Sequence, residues 1–116
     1  MGIREFYERI GESYETAEKR LGSEKAVTEF VKKFGKDKTV AELKNSLDEA
    51  DCSRSFGFAH TLKGVAAELG FNSLAAAASD LTEILRRGTL IGADEAFMKT
   101  ELRYILIEGN IKKLDC

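Results

Sequence analysis

The sequence predicts an all-α fold, an antiparallel four-helix bundle with one or more additional helices at its N-terminus. Proline is absent from the 116 residues, and most of the ten glycines separate segments of helical periodicity. Within those segments apolar residues recur at steps of three and four, and no segment alternates with the period of two that a strand would show. Short connections between the segments favour antiparallel neighbours, which together make a bundle.

The first third of the chain is expected to form two helices. From residue 3 to residue 21, one helix face collects seven apolar side chains, namely Ile3, Phe6, Tyr7, Ile10, Tyr14, Ala17 and Leu21. Gly22 interrupts this pattern, and Ser23 is suited to cap the next helix. That second helix has its own stripe, formed by Ala26, Val27, Phe30, Val31 and Phe34, and Gly35 is expected to end it.

Four further helices are expected to form the bundle core, roughly residues 39–108. Thr39 and Glu42 make a T-x-x-E capping box ahead of the first of them. The other three are expected from Asp51–Ser53 to Leu69, from Asn72 or Ser73 to Gly88, and from about Ala93 to the region of Gly109. Since no linker or repeat divides the chain, residues 1–116 are expected to be a single domain.

Composition and charge exclude several classes of function. The net charge is −2 and residues of both signs are interspersed, so the chain has no basic face for nucleic acid. The apolar runs are only a few residues long, far below the ~20 residues of a membrane-spanning helix. Charged residues from Arg4 to Arg9 leave no apolar region for a signal peptide. We therefore expect no nucleic-acid or membrane partner.

The cysteines and the single histidine limit the metal and redox chemistry. Cys52 and Cys116 are far apart and form no CxxC motif, which favours two reduced thiols and a cytoplasmic location. One histidine and two scattered cysteines do not assemble a metal site. The chain also lacks a P-loop, so no nucleotide site and no ATP-dependent kinase activity are expected.

The helix that carries His60 is the most informative part of the sequence. Its apolar stripe consists of Phe58, Leu62, Val65 and Leu69, with Ala59 and Ala66 beside it. His60 falls on the opposite side of the helix, and we expect it to face solvent. A lone histidine is often a satisfied core residue or a surface residue without a role, but the complete stripe disfavours burial.

The neighbours of His60 on that exposed face are unusual for a solvated helix. Gly57 and Gly64 each cost ~1 kcal/mol relative to alanine inside a helix, so they contribute little to stability. Together with Ala67 they leave a shallow patch where the backbone of another protein can approach the imidazole. Lys63 offers an ammonium group to accompany a dianion, and neutral imidazole is a competent nucleophile near neutral pH. These residues are consistent with a phosphorylated histidine, but a lone exposed His beside a Lys is common.

The run Ala59-His60-Thr61-Leu62-Lys63-Gly64, followed by Leu69-Gly70 and Leu74, resembles the histidine-containing phosphotransfer (HPt) domain of two-component phosphorelays. The resemblance extends upstream through Arg20-Leu21-Gly22-Ser23 and Phe30, and downstream to Arg87-Gly88. It covers most of the chain, and residues 1–13 match least distinctly.

The resemblance implies a four-helix bundle that accepts a phosphoryl group on His60 from the aspartate of a receiver domain and passes it to another receiver. By position, Lys63 matches the basic neighbour of the family, and Gly64 matches the small residue that lets the receiver approach. Thr82 falls where some members place a polar residue that contacts the phosphorylation site from the next helix. Such a domain is a phosphocarrier without a cofactor of its own, and the Mg²⁺ belongs to the receiver.

The expected partners are therefore response-regulator receiver domains, with a hybrid sensor histidine kinase as a further candidate, and a monomer is the default. The expected docking surface combines Phe56, Gly57, Ala67, Thr82 and Arg86 around the histidine. Phe56 is either an exposed apolar anchor or a residue that packs against the first helix. The monomer expectation depends on the absence of a second uncovered apolar stripe.

Two positions depart from the family pattern, and two other functions compete with the relay. Glu68 stands where many members have a neutral residue, and Leu81-Thr82 replaces a common Leu-Glu pair. A helical interaction module that works without phosphate is the main alternative. An enzyme that uses His60 as a general base is less favoured, because an exposed helix surface makes a poor water-excluding pocket.

Overall fold

The computed structural model describes residues 1–115, which fold into α-helices and contain no β-strand. The helices are α1 Ile3–Ile10, α2 Tyr14–Leu21, α3 Glu24–Phe34, α4 Thr39–Asp48, α5 Cys52–Glu68, α6 Asn72–Arg86 and α7 Ala93–Ile111. The all-α prediction is confirmed. None of these helices combines the length and the apolar character needed to cross a membrane. Cys116, one of the two cysteines expected to be reduced, lies outside the described residues.

Helices α4 to α7 form the four-helix bundle that the short connections predict. Helix α5 packs between α4 and α6, and α7 packs against α6 and closes the ring on α4. Helices α5 and α7 therefore lie diagonally across the bundle. The centre of the bundle contains one leucine from α4, one from α5 and two from α6, each at most 1% exposed: Leu43, Leu62, Leu74 and Leu81.

The N-terminal segment contains two helices where the apolar stripe predicted one. Gly11 has a positive φ of 74° and ends α1, and the Ser13 hydroxyl then accepts a hydrogen bond from the Thr16 amide at 3.2 Å to begin α2. The prediction of one helix over residues 3–21 is wrong. Ile10 and Tyr14 are four residues apart on either side of the break, so the apolar spacing continues through it and conceals it.

An aromatic cluster joins the N-terminal helices to the bundle. The ring of Phe71, between α5 and α6, lies 6.0 Å from Phe6, 5.8 Å from Tyr7 and 5.5 Å from Phe34 between centroids. All four side chains are at most 4% exposed. Because edge and tilted contacts at these distances are favourable for aromatic rings, the cluster fixes α1 and α3 against the α5–α6 turn, residues 69–71.

Polar contacts from the N-terminal helices also hold the α5–α6 turn. The Tyr7 hydroxyl donates a hydrogen bond to the Leu69 carbonyl at 2.6 Å, and the Arg20 guanidinium donates to the Ala67 carbonyl. The Glu12 carboxylate accepts from the Ser73 amide at 2.9 Å in the first turn of α6. The contacts of Tyr7 and Glu12 satisfy backbone groups that helix ends leave without partners, and Arg20 adds a second donor to a carbonyl that already accepts from the Gly70 amide. Burial raises the pKa of Tyr7, which keeps its hydroxyl protonated as a donor.

The first turn of α4 is capped differently from the sequence-based expectation. Asp37 accepts a hydrogen bond from the Thr39 amide at 2.7 Å, and Thr39 is already inside the helix. The prediction that Thr39 and Glu42 form a capping box is therefore wrong. An acidic residue two positions earlier supplies the acceptor that a helix N-terminus needs.

Helix α7 exposes a row of large apolar side chains on the outside of the bundle. We call Met98, Leu102, Ile105 and Leu106 the α7 stripe; their exposed fractions are 61%, 64%, 56% and 41%. The sequence-based reason for expecting a monomer, that no apolar stripe remains uncovered, is therefore wrong. The pattern failed because Thr100 is buried and Tyr104 half-buried on the inward face of α7, so that apolar residues counted toward the core stand on the outward face among charged ones.

Candidate functional site

Helix α5 begins with a defined cap and is held in its rotation by the residues that it buries. The Asp51 carboxylate accepts from the Arg54 amide at 3.0 Å, as expected for a cap at this position. The residues that face the core are Ser55, Ala59, Leu62, Ala66 and Leu69, whereas Phe58 and Val65 are only half-buried. The buried face is therefore rotated slightly from the predicted stripe. The buried Ser55 hydroxyl is satisfied by a 2.7 Å hydrogen bond with that of Ser46.

His60 lies on the exposed face of α5, as the helix pattern predicts. Gly57 precedes it by about one turn and Gly64 follows it by one turn, and both are exposed. A Cβ added at either glycine would meet no atom within 4 Å. Packing inside the chain therefore does not require glycine at these two positions. The half-buried Ala67 extends the same low surface toward the end of the helix.

Phe56 packs beside His60 and toward α6. Its ring centroid lies 5.9 Å from that of His60, with 30° between the planes. The Arg86 guanidinium lies 5.1 Å over the Phe56 ring, and Arg86 also pairs with Glu83 at 3.1 Å. Phe56 is half-buried, and its contacts with Arg86 and its position beside Leu85 place it against α6, so only part of its ring remains for a partner.

Cationic side chains stand on both helices next to His60. Lys63 is half-buried one turn along α5, and among residues 1–115 it takes part in no salt bridge. Arg86 is exposed on α6 and is held by Phe56 and Glu83. Lys63 and Arg86 therefore place positive charge at the rim of the His60 patch, and no carboxylate pairs with Lys63 among residues 1–115.

Thr82 does not belong to the exposed surface around His60. It is 0% exposed, and its hydroxyl donates to the Ala78 carbonyl at 2.7 Å one turn earlier in α6. The expectation that Thr82 contributes to an exposed docking surface is therefore wrong. A threonine can satisfy its hydroxyl within its own helix, so it tolerates a core position that a longer polar side chain would not.

Sequence reasoning missed the residues that frame this patch from other helices. Glu83 orients Arg86 through an i,i+3 pair, which charge spacing on α6 could have indicated. Phe30 and Lys33 of α3 line a groove that begins at Gly64. Phe30 was expected in a core stripe but is 49% exposed. No local sequence pattern identifies Phe30 and Lys33 as residues near His60, because the groove arises from the packing of α3 near α5.

A comparison with protein-family models identifies the family of the chain. The model described as Hpt domain matches residues 36–109, which is more than half of the chain. The chain belongs to the Hpt domain family. The match contains α4, α5 and α6 whole and therefore includes His60 and its neighbours. Comparisons with curated proteins and with solved structures returned no match.

Membership in the Hpt family defines the general role of the chain. Hpt domains are helical phosphocarriers of two-component signalling; they work with response-regulator receiver domains and are not kinases themselves. The chain therefore has a phosphotransfer role in this kind of signalling. The α1–α3 segment precedes residue 36, so the helices that hold the α5–α6 turn lie outside the matched part.

Proposed function

We propose that this chain is a phosphorelay intermediate in which His60 accepts a phosphoryl group from a receiver-domain aspartate and passes it to a second receiver. One observation carries the proposal. The only histidine of the chain stands exposed within the matched segment, between two glycines whose surroundings are open. An exposed helix face allows the same atom to meet a donor and an acceptor in turn, which an enclosed pocket would prevent.

The transfer step balances without a cofactor on this chain. The lone pair of an imidazole nitrogen attacks the phosphorus of the aspartyl phosphate, and an N–P bond forms as the P–O bond to the aspartyl carboxylate breaks. The aspartate leaves with the bonding electron pair, and the other ring nitrogen of His60 keeps its proton. Transfer to the second receiver reverses these bonds. The receiver supplies its aspartate and Mg²⁺.

The surroundings of His60 support transfer by positioning and charge. Phosphoryl transfer requires alignment and neutralisation of the phosphoryl oxygens more than covalent help. The Lys63 ammonium, one turn away, is suited to accompany the dianion, and Arg86 adds positive charge from α6. Gly64 leaves the low surface that a receiver needs to bring its aspartate to the imidazole. Phe56, Gly57 and Ala67 complete the docking surface.

A labelling experiment tests the proposal directly. The full chain is incubated with receiver domains carrying labelled aspartyl phosphate and Mg²⁺, and the chain is then examined for acid-labile, alkali-stable label. We expect label on the wild type and none on a His60→Gln variant. We also expect the labelled chain to return the group to a second, unlabelled receiver.

Glutamine is the replacement in this variant because it removes the imidazole with little change in side-chain size. Gln keeps a polar side chain of similar length on an exposed helix face, so the unfolding midpoint of the variant should stay close to that of the wild type. Label on His60→Gln equal to the wild type would show that the phosphorylated residue is elsewhere. Absence of label on the wild type from every receiver, with binding retained, would favour an interaction module that works without phosphate.

A further inference from the structure

The α7 stripe concentrates exposed apolar surface on one helix. Of the six large apolar side chains that stand exposed among residues 1–115, four belong to this stripe. A groove beside it is lined by Leu102 and by the small side chains of Ala76 and Ala77 on α6. Clustered apolar side chains of this kind are typical of a surface that packs against another protein.

The spacing along α7 fits a second helix. Met98, Leu102, Ile105 and Gly109 follow one another at steps of four, three and four residues. Such steps form the seam between two helices that pack side by side. Gly109 lies inside α7, where glycine costs about 1 kcal/mol relative to alanine, and a Cβ added there would meet no atom within 4 Å. Packing within the chain therefore does not require this glycine, and the open space above it is suited to a large side chain from a partner helix.

The charges along α7 are divided between its two ends. Residues 93–102 carry three acidic side chains and one basic one, whereas residues 103–113 carry three basic side chains and one acidic one. Asp94 in the first turn and Lys113 just beyond the last turn are both exposed, and neither takes part in a salt bridge among residues 1–115. This surface favours a partner helix that is basic where α7 is acidic and acidic where α7 is basic.

A second copy of α7 that lies antiparallel meets these requirements. A two-fold axis between Arg103 and Tyr104 brings together residues that are equally far from that point on the two copies. The pairs that result, each formed twice, are Leu102 with Ile105, Met98 with Gly109, and Asp94 with Lys113. A large side chain thus meets the open glycine, and opposite charges meet at both ends. A parallel arrangement would place the acidic ends together and the basic ends together.

We propose that the α7 stripe is the contact between two copies of this chain, which pair antiparallel along α7 into a dimer with two-fold symmetry. Four side chains that are 41–64% exposed offer less area than the interface of an obligate dimer. The dimer is therefore weak, with a Kd of about 100 µM, and the chain is monomeric at low micromolar concentration. Because α5 lies diagonally across the bundle from α7, both His60 side chains stay exposed in the dimer.

Analytical ultracentrifugation of the full chain from about 10 µM to about 1 mM tests the pairing, since this range brackets the expected Kd. Self-association needs neither phosphate nor a receiver, so the chain is measured alone. Leu102→Ser should raise the Kd at least about tenfold, because the symmetric contact loses the buried leucine twice. Phe30→Ser is the matched control, since Phe30 is 49% exposed on α3 and outside the α7 stripe. That variant should change the Kd by less than about twofold.

Charge reversal tests the antiparallel direction. Asp94→Lys and Lys113→Glu should each raise the Kd about fivefold, because each brings like charges together at both ends of the contact. In an equimolar mixture of these two variants, the mixed dimer should form with about the wild-type Kd, since opposite charges meet again at both ends. Lys25→Glu, at an exposed position of α3, changes the net charge as Lys113→Glu does and should have little effect. All three positions are exposed, so these variants test the contact even if Phe30→Ser unfolds the chain.

Four outcomes would overturn the α7 dimer. A chain that stays monomeric up to about 1 mM does not pair with itself, and its stripe then serves another protein or another segment. Oligomers that grow beyond the dimer would contradict a closed two-fold contact. A Kd that Leu102→Ser raises no more than Phe30→Ser does would place the contact on another face. A Kd that neither Asp94→Lys nor Lys113→Glu changes would exclude the antiparallel arrangement.

Discussion

Helices α5 and α7 lie diagonally across the same bundle, yet they present opposite kinds of surface to solvent. The outward face of α5 is low, with Gly57, Gly64 and the single His60, whereas α7 presents the four large apolar side chains of the α7 stripe. Exposed apolar area is the usual mark of an interaction surface. In this chain the histidine lies on the other kind of surface, the outward face of α5, which has little side-chain bulk.

The contrast between the two helices separates close approach from binding area. A low surface with open glycines allows a partner backbone to come close to one atom, which phosphoryl transfer needs. An apolar stripe offers binding area without reactive groups. We therefore expect changes on α5 to affect transfer and matched changes on α7 to leave it unaffected.

The largest effect on stability is expected where the same residue type has opposite environments. Leu62 of α5 is 1% exposed and Leu102 of α7 is 64% exposed. Leu62→Ala should lower the free energy of unfolding by about 3 kcal/mol, since it leaves a cavity in the core. Leu102→Ala should change it by less than about 0.5 kcal/mol. Urea denaturation measures both, and similar losses would show that the α7 stripe is buried in solution.

Gly64→Gln is expected to have the largest effect on transfer apart from loss of the histidine itself. The side chain would occupy the patch one turn from His60, so the rate of labelling by a phosphorylated receiver should fall about 100-fold, as for loss of near-attack geometry. Gly109→Gln is the control on α7, where an added Cβ also meets no atom within 4 Å. An unchanged rate for Gly64→Gln would refute the requirement for close approach.

Lys63→Ala tests the charge beside the histidine. We expect transfer to slow about tenfold, since one charge-assisted contact to the phosphoryl oxygens is lost while the fold is retained. Lys99→Ala, whose wild-type ammonium lies 3.7 Å from Glu95 on α7, should transfer at the wild-type rate. Single-turnover kinetics at saturating receiver give the comparison. Equal rates for wild type and Lys63→Ala would show that this ammonium is not needed.

The smallest effect is a gain in stability shared by both helices. Gly57→Ala and Gly109→Ala should each raise the free energy of unfolding by about 0.5–1 kcal/mol, because alanine has the higher helix propensity and a Cβ fits at both positions. Only Gly57→Ala should also slow transfer, by a few-fold. Thermal unfolding and labelling of the same samples measure the stability and the transfer rate of both variants. A loss of stability in Gly57→Ala would contradict the helix geometry at that position.

Sequence reasoning recovered the features that local spacing determines and missed those that depend on packing. Helical periodicity was enough to place His60 on an exposed face, because the buried stripe of α5 is nearly complete without it. The break at Gly11 was missed because the apolar spacing continues across it. Thr82 resembled a surface residue by type, but its hydroxyl bonds to its own helix. The groove beside Gly64 has no local signature, since α3 and α5 are distant in sequence.

The contacts of Tyr7, Glu12 and Arg20 with the α5–α6 turn have a practical consequence for anyone who excises the family-matched segment. Residues 36–109 alone would lose the donors to the Leu69 and Ala67 carbonyls and would uncover Phe71. We expect such a fragment to keep the sequence motif around His60 and to melt well below the full chain. In this protein the helices that stabilise the bundle extend beyond the segment that carries the histidine.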